Sequence, residues 1–392
     1  MRWPLGAAAV LVPSGAILII LVVTTWSMLG WPYPQWVQTS AQFHQQFTWA
    51  GLIAGAAACW YATVLHPKDR IWRQPNAPRA PGARHISVLT CWFVGAYLLG
   101  LLPLVASTVG GVGEPDPLVM VSGVLAMVAA VALGYGLGAL VPSPVMVPLV
   151  AAGFYALLVV GSAGGERFAA VAPVLYLEPE LGQRESVPLL VFRIALFTAV
   201  IVAGVGIATR PWPGILYLAL PVALVAVSVV RQPVVFTADG EAAATCTERR
   251  DIRYCVHPDN APRLGELVRA VDPVIARYGT KPANVDQVWD QALTYQPVEA
   301  RRVEIAWLQP EGGVQNQVAT TVAGIYACST RAHRSEEDAE RITQVAADLG
   351  DYLATGTPSG ALAGMSAADV RQWVARHQDR LHACTLTIDQ LP

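Results

Sequence analysis

The sequence contains little charge, and the shortage is uneven along the chain. Charged residues make up 14% of the 392 residues, against roughly 25% in soluble domains, while 54% are hydrophobic. Residues 1–231 hold 11 basic and 7 acidic side chains, whereas residues 232–392 hold 15 and 21. One soluble core cannot bury so much apolar surface. The sequence therefore predicts a membrane domain over 1–231 and a water-soluble domain over 232–392.

Several signatures of chemistry and of ligand binding are also missing. The net charge is −2 with two lysines in all, so the clustered basic surface of a nucleic-acid-binding protein is not expected. The sequence has no Gly-x-x-x-x-Gly-Lys-Ser/Thr, no His-Glu-x-x-His and no Gly-x-Ser-x-Gly. His377 and His382 are not at the four-residue spacing that puts two metal ligands on one helix face, and His257 beside Asp259 is an ordinary turn pair. We therefore expect no catalytic, cofactor-binding or metal site in this chain.

Long apolar runs fill the membrane domain. A membrane helix needs roughly 20 apolar residues, and seven such stretches precede residue 232. The fourth and fifth are separated only by residues 141–144, so one broken helix is the alternative to two. The first apolar stretch follows Arg2, as the apolar part of a signal peptide follows a basic residue. No small-residue cleavage site occurs near residues 24–27, which favours a retained helix. The predicted spans lie near 10–30, 48–65, 86–108, 118–141, 143–161, 187–208 and 213–231.

Basic residues in the short loops predict the orientation, because Lys and Arg are kept on the cytoplasmic side. The loop over 66–85 holds five basic residues and one acidic residue, and is expected inside. The segments 31–46, 109–117 and 162–186 are expected outside. Seven spans then predict a plasma-membrane protein with a cytoplasmic N-terminus and an extracytoplasmic C-terminal domain. The basic residues of the inner loop are Lys68, Arg70, Arg73, Arg79 and Arg84.

The soluble domain has both helical and strand periodicities. Apolar residues at helical spacing predict a helix over 262–278. Capping sequences open two more helices, near 335–354 and 366–382. Stretches rich in Val, Ile, Thr and aromatic residues over 301–308 and 317–327 predict strands. The domain is therefore expected to be α+β.

Four of the six cysteines lie in the soluble domain, and an even number in an oxidising compartment fits two disulfides. We expect Cys246 to pair with Cys255 and Cys328 to pair with Cys384, although four cysteines allow three pairings. The predicted fold is a polytopic α-helical membrane bundle of about seven spans with a C-terminal, disulfide-stabilised α+β extracytoplasmic domain.

Two features inside the predicted spans have more than one interpretation. Gly51 with Gly55 and Gly134 with Gly138 form Gly-x-x-x-Gly pairs, which let helices approach closely either within one bundle or between two copies. Arg193 lies near the outer end of the sixth span, where its side chain can snorkel to the membrane interface. A substrate or intersubunit role for Arg193 is the alternative.

The inner loop and the helices around it resemble a known family. The loop over 66–85, HPKDRIWRQPNAPRAPGARH, leads directly into a long apolar helix. The fourth and fifth spans form a hairpin with a tight inner turn, GYGLGALVPSPVMVPLVAA over 134–152, and an amphiphilic segment over 162–186 precedes the sixth span. In these features the membrane domain resembles the ABC type-2 exporter permeases, in which a short coupling helix of that loop docks on an ATPase subunit. The seventh span and the external domain depart from the six-span pattern of that family, and the external domain looks similar to uncharacterised domains of actinobacterial permease-like proteins.

The resemblance implies the membrane subunit of an ABC-type exporter that moves a lipid-like, peptide or antibiotic-type substrate outward. ATP and Mg²⁺ would then be held by a separate ATPase subunit, contacted through Arg70 and Arg73. Two permease subunits, identical or different, would form the pathway across the lipid bilayer. Positive-inside anchoring is the alternative explanation of these arginines. The competing hypothesis is a membrane-anchored binding, sensor or scaffold protein whose external domain binds a cell-envelope ligand or partner.

Overall fold

A computed structural model divides the chain into two compact units, Met1–Thr237 and Ala238–Pro392. The change in composition along the sequence predicted this division between residues 231 and 232. Each unit has buried hydrophobic residues of its own. The structure describes residues 7–30, 34–65, 82–163, 166–175, 179, 181–231, 234–238, 243–293, 301–307, 313–325, 336–383 and 385–392.

The first unit is built from apolar helices, and a helix forms in each of the seven predicted spans. Within the described residues, five segments are long and apolar enough to cross a membrane, namely α1, α2 together with α3, α4, α5 and α8. Met146–Gly161 and Ile215–Arg231 form shorter apolar helices. The helices are α1 Ala8–Leu29, α2 Trp36–Gln45, α3 Phe47–Leu65, α4 Gly82–Thr108, α5 Pro117–Leu140, α6 Met146–Ala163, α7 Glu166–Ala169, α8 Val187–Thr209, α9 Pro211–Gly214 and α10 Ala219–Arg231; the strands β1 Gln183–Glu185 and β2 Phe236–Ala238 pair with each other.

The fourth and fifth predicted spans are two helices rather than one broken helix. Helix α5 ends at Leu140 and α6 begins at Met146. Pro142 and Pro144 fall between them, and proline lacks the N–H that a continuing helix would need. The residue before each proline is also driven out of the helical conformation. The two prolines thus explain the break.

Helix α5 packs closely against two neighbours because glycines face both of them. A Cβ atom on Gly134 would collide with the carbonyl oxygen of Gly55 on α3. A Cβ atom on Gly136 would lie 2.8 Å from the carbonyl oxygen of Gly204 on α8. Small residues permit this close approach of helix backbones. Gly55 and Gly134, one from each Gly-x-x-x-Gly pair, therefore pack helices within one bundle.

The loops gather at two ends of the bundle. At one end, called here the α2 end, the Thr39 and Thr108 hydroxyl oxygens lie 2.7 Å apart, and the Gln45 amide donates to the carbonyl oxygen of Leu175 at 2.7 Å. These bonds bring the segments before α3, after α4 and before α8 together. At the opposite end the first residue of α4, Gly82, packs against the end of α8. Alternating spans require this grouping of loops.

The second unit contains a four-stranded mixed sheet and helices packed against it. Strand β3 pairs antiparallel with β4, while β4, β5 and β6 run parallel in that order. Helix α11 connects β4 to β5, which is how parallel strands are normally joined. The elements are β3 Thr245–Arg249, β4 Ile252–Val256, α11 Leu264–Tyr278, β5 Gln287–Asp290, β6 Arg302–Ile305, α12 Gly313–Val322, α13 Glu336–Thr355 and α14 Ala367–Ala383.

Most of the elements predicted for this unit are present, and one is wrong. The three predicted helices are confirmed as α11, α13 and α14, and the strand over 301–308 is confirmed as β6. The strand predicted over 317–327 is wrong, because this part of the chain lies largely in α12. Val318 and Val322 are four residues apart and both buried, and α12 contacts α11 and α13. Packing on one helical face therefore overrides the strand propensity of Val and Thr.

The hairpin of β3 and β4 carries a disulfide. Cys246 and Cys255 are directly opposite each other in the antiparallel register and are bonded to each other, as predicted. Cys255 is fully buried beside Trp289 and Leu293. The second predicted pair, Cys328 with Cys384, lies outside the described residues.

Candidate functional site: a buried charge cluster beside an apolar cavity

Helix α2 is rich in polar residues, yet it is buried within the first unit, Met1–Thr237, which is called the membrane unit below because its long apolar helices have the length to cross a membrane. Its buried polar side chains, each no more than 3% exposed, are Gln38, Thr39, Ser40, Gln42 and His44. The helix is anchored by the Tyr97 hydroxyl of α4, which donates to the carbonyl oxygen of Phe43. Polar side chains inside a membrane bundle are costly and usually have a functional role. Helix α2 is therefore the first indication of a site.

Glu185 reaches the same region from the end of β1. The Ser186 N–H donates to the carbonyl oxygen of Val235 at 2.9 Å, and the Ser186 hydroxyl donates to the carbonyl oxygen of Val234 at 2.5 Å. The Ser186 hydroxyl oxygen also caps α8 by accepting a hydrogen bond from the Leu189 N–H at 3.3 Å. These bonds fix the backbone beside Glu185, whose side chain is fully buried.

Arg193 lies near the start of α8 and points into the protein. Its Nη2 donates to the carbonyl oxygens of Pro173 at 2.7 Å and Ala172 at 3.2 Å. The guanidinium carbon lies 5.7 Å from the ring centroid of Phe197, and Nη1 lies 3.6 Å from Oε2 of Glu185. The side chain is 0% exposed. The snorkelling interpretation of Arg193 is therefore wrong, because a buried carboxylate and two carbonyl oxygens hold the guanidinium inside.

His44, Glu185 and Arg193 together form a buried charge cluster. The Nε2 atom of His44 lies 2.5 Å from Oε1 of Glu185, while Arg193 faces Oε2 of the same carboxylate. One carboxylate thus joins α2, β1 and α8. Because breaking a buried pair leaves an uncompensated charge, the cluster ties these three segments together strongly.

The electrostatics of the cluster keep its carboxylate ionised. Burial by itself would raise the pKa of Glu185, but His44 and Arg193 outweigh burial and hold this pKa below its ordinary value. At neutral pH Glu185 is therefore a carboxylate that compensates the Arg193 guanidinium.

The cluster retains unused hydrogen-bonding capacity. Among the residues that the structure describes, Nε and Nη1 of Arg193, Oε2 of Glu185 and Nδ1 of His44 have no hydrogen-bond partner. Buried polar atoms without partners are uncommon in proteins, and a ligand or water can supply the missing bond. The arginine nitrogens can donate hydrogen bonds to a further polar group.

An apolar cavity of about 300 Å³ lies beside the cluster. Its lining consists of Phe, Ala, Leu, Val and Pro side chains from α3, α5, α6, α8, the segment over 215–231 and the loop before β1. Two of the lining residues, Pro173 and Phe197, are the ones that contact the Arg193 guanidinium, and a third, Phe47, follows His44 by three residues. The charge cluster therefore lies at one end of the cavity.

Small side chains on α5 leave space for the cavity. Ala126, Ala129 and Ala130 form part of its wall on this helix. Phe197 and Val200 of α8 and Val225 of α10 form further parts of the wall. Larger residues at the alanine positions would fill the space. The volume is at the lower end of the range of about 300–1,000 Å³ that is typical of ligand pockets.

The structure describes only some of the site residues that were predicted from the sequence. Lys68, Arg70, Arg73 and Arg79 of the inner loop lie outside the described residues. Arg84 lies in the first turn of α4, at the opposite end of the bundle from the charge cluster.

Two members of the charge cluster, His44 and Glu185, were not predicted as site residues from the sequence. Both were assigned to outer loops, where polar residues are ordinary. A signal was present, because the run Ser40 to Gln46 (SAQFHQQ) places several amides and a histidine directly before an apolar helix. Their meeting across 141 residues of sequence could not be inferred from that signal.

The second unit has a smaller polar group at the carboxyl end of its parallel strands. The buried Asp290 accepts hydrogen bonds at Oδ2 from the His257 N–H at 3.1 Å and from the Asn260 side chain at 2.7 Å. The predicted pairing of His257 with Asp259 is present at 3.6 Å. His377 and His382 have separate partners, the carbonyl oxygen of Trp373 and the Tyr278 hydroxyl.

Metal ligands do not gather anywhere in the described part of the chain, where no group of three or more His, Cys, Asp or Glu residues could hold an ion. Comparison with protein-family models, with curated proteins and with solved structures finds no match to this chain. Among the described residues, the buried charge cluster and the adjoining cavity are therefore the features that bear most directly on function.

Proposed function

We propose that this chain is the membrane subunit of an ABC-type exporter, which works with a separate ATPase subunit and moves an amphiphilic, lipid-like substrate outward. The observation that carries the proposal is an apolar cavity with a charge cluster at one end, inside a bundle of membrane-length helices. Such a combination can accommodate a molecule with an apolar part and a polar part. A scaffold without a ligand would need neither the cavity nor the unsatisfied arginine nitrogens.

The expected topology supports the direction of movement. With seven spans and the basic loop over 66–85 inside, the α2 end of the bundle faces outward, and so does the second unit. A disulfide in the second unit fits this orientation, because disulfides persist in oxidising compartments. The cavity and the charge cluster would then lie in the outer half of the membrane, from which a substrate leaves the protein.

The energy for transport would come from a partner, since the sequence contains no P-loop. ATP and Mg²⁺ would bind to the ATPase subunit, and the loop with Lys68, Arg70, Arg73, Arg79 and Arg84 would contact it. A homodimer or heterodimer of two permease subunits would complete the exporter.

Co-purification tests this proposal directly. The tagged chain is isolated from its own host in a mild detergent, and the preparation is analysed by mass spectrometry and by an ATPase assay. We expect an ATPase that is lost when Arg70→Glu and Arg73→Glu are combined. The matched control, Arg269→Glu with Arg376→Glu, makes the same change of charge at exposed positions of the second unit and should retain the ATPase. Recovery of no ATPase from wild type would overturn the exporter proposal.

Orientation has its own test. Intact cells are mildly reduced and treated with a membrane-impermeant thiol reagent, after which labelled peptides are identified. Labelling of Cys246 is expected if the second unit is outside, and the Cys246→Ala variant identifies the peptide. Labelling only after lysis would contradict the outward orientation.

A binding or sensor protein is the second candidate function, and one observation favours it. In open parallel sheets, ligands bind at the carboxyl ends of the strands, and this is where Asp290 holds His257 and Asn260. If this function is correct, the full chain in detergent will sediment with insoluble cell-wall material. His257→Ala should weaken sedimentation, whereas His377→Ala should not. Equal sedimentation of both variants would argue against this candidate.

A further inference from the structure

The cavity has the properties of a site for an alkyl chain. Every described residue in its lining is apolar, so water inside it would lack hydrogen-bond partners. An empty apolar cavity also forfeits dispersion contacts along its walls. An apolar occupant removes both costs. The cavity extends from Ala126 to Leu133 along α5, which is about 10 Å at the helical rise per residue.

The walls of the cavity connect it to the surface that faces the membrane. The cavity is partly open, and one wall is formed by Leu218, Val222 and Val225. In the same segment Leu216, Leu220 and Val222 are 77%, 58% and 64% exposed, as expected of side chains in contact with lipid. An alkyl chain can therefore pass from the bilayer into the cavity without crossing water.

The two ends of the cavity differ. Phe47, Pro173 and Phe197 form the end beside the charge cluster, whereas Leu133 and Leu218 lie towards the opposite end of the bundle. At the cluster end, Nε and Nη1 of the fully buried Arg193 have no hydrogen-bond acceptor among the described residues. These nitrogens can donate hydrogen bonds to a polar head at that end.

We propose that the cavity binds a single alkyl chain of an amphiphile, with the polar head directed to Arg193 and the end of the chain directed to Leu133 and Leu218. The inference names the substrate class of the proposed exporter, and to that extent it rests on the proposed function. Binding itself requires no ATPase, so it can be measured separately.

Photo-crosslinking in phosphatidylcholine nanodiscs tests the proposal on the full chain. The probes are two palmitate analogues, one with a diazirine near the carboxylate and one with a diazirine at the end of the chain. The first is expected to label peptides that contain Phe47 or Phe197, and the second to label peptides that contain Leu133 or Leu218. Excess unlabelled palmitate should compete with both probes. Labelling spread over all lipid-facing helices without competition, or a reversed pattern, would overturn the proposal.

Filling the cavity provides the matched variants. Ala130→Phe places a ring inside it, whereas Ala156→Phe makes the same change at an exposed position of α6, next to the lining residue Leu157. We expect roughly a tenfold or greater loss of labelling in Ala130→Phe. If the alkyl chain can bury two fewer methylene groups, its affinity falls by about that factor. Ala156→Phe should label like wild type.

Val225→Phe is a second cavity-filling variant, which tests whether a filled cavity rather than misfolding causes the loss of labelling. It fills the cavity from α10 and leaves the glycine contacts of α5 untouched. Both filled variants must elute as wild type does in size-exclusion chromatography, and undiminished labelling in either properly folded variant would refute the site. Labelling as expected without a co-purified ATPase would support the binding site and contradict the exporter proposal. A co-purified ATPase without the expected labelling would support the exporter proposal and contradict the binding site.

Discussion

The side chains of His44 and Glu185 lie 141 residues apart in the sequence and meet inside the membrane unit, with Nε2 of the histidine 2.5 Å from Oε1 of the carboxylate. Neither side chain is accessible, and Arg193 occupies the other side of the same carboxylate. This relationship fixes the polar helix α2 against the strand that precedes α8. It also places the charge at one end of an apolar cavity, which is the basis of the proposed function.

Loss of the central carboxylate should destabilise the membrane unit. Glu185→Leu leaves the Arg193 guanidinium buried without its counter-charge, and we expect a loss of about 3–5 kcal/mol in the free energy of unfolding. The double variant Glu185→Leu with Arg193→Met removes both charges and should recover most of this loss, since apolar replacement of a buried pair is often neutral. Unfolding of the full chain in detergent micelles measures both. A single variant as stable as wild type would show that the cluster contributes no stability.

Close packing of α5 on α3 gives a second prediction. Gly134→Ala adds a methyl group where the carbonyl oxygen of Gly55 lies, and overpacking of this kind costs about 1–3 kcal/mol. Gly95→Ala is the matched control on α4, because a Cβ atom there meets nothing within 4 Å. That control should gain up to about 1 kcal/mol from the higher helix propensity of alanine. Thermal unfolding in detergent should therefore rank Gly95→Ala above wild type and Gly134→Ala below it, and the opposite ranking would contradict the packing.

The sequence predicted the positions of the helices in the membrane unit because apolar length is a local property. It could not predict that the polar helix α2 leads directly into the apolar helix α3. The residues of α2 carry no charge and resemble a loop. It also could not predict the charge cluster, since His44 and Glu185 meet only through the packing of α2 against the segment before α8. Arg193 was selected from the sequence as a charged residue within a predicted span. The orientation of the Arg193 side chain depends on the carboxylate of Glu185, a residue that was assigned to an outer loop from the sequence.

In the second unit as well, a local pattern was recognised in the sequence and the short strands were not. Helix α11 was predicted because its apolar residues repeat at helical spacing. The strands β3, β4 and β5 were missed, although the spacing of Cys246 and Cys255 pointed to a short closed loop. Strand β5 is buried on both sides and has only four residues, too few for a periodicity to be recognised.

The disulfide should stabilise the second unit by closing the β3–β4 hairpin. Cys246→Ala with Cys255→Ala is expected to lower the stability of this unit by about 2–3 kcal/mol, because a short closed loop restricts the unfolded chain only moderately. Limited proteolysis of the full chain, followed by mass spectrometry, would detect faster cleavage within residues 243–256. Cys91→Ala is the control, since Cys91 is a free cysteine exposed on α4. Unchanged cleavage in the double variant would show that the hairpin does not depend on the bond.

His382 should make the stability of the second unit depend on pH. Its Nε2 lies 3.0 Å from the Tyr278 hydroxyl, and the two rings are stacked with centroids 6.2 Å apart. Burial lowers the pKa of His382 below its ordinary value of 6.5, and Asp379 opposes this effect only in part. In the unfolded chain the histidine takes up a proton near pH 6.5, while in the folded chain it does so only at lower pH. The unfolded state therefore binds more protons as the pH falls below 6.5, and stability falls with it until the folded pKa is passed.

Hydrogen exchange of the full chain measures this effect in α11 and α14. After correction for intrinsic rates, exchange should be faster at about pH 5.5 than at about pH 7.5, the interval in which an ordinary histidine titrates. His382→Gln removes the titrating group while keeping an amide that can bond the Tyr278 hydroxyl, so the difference between the two pH values should shrink. His377→Gln makes the same change on the same helix, where the ring contacts the carbonyl oxygen of Trp373 instead, and should retain the difference. If the difference persisted in His382→Gln, the protonation of another group would have to account for it, and the pairing of His382 with Tyr278 would not be its cause.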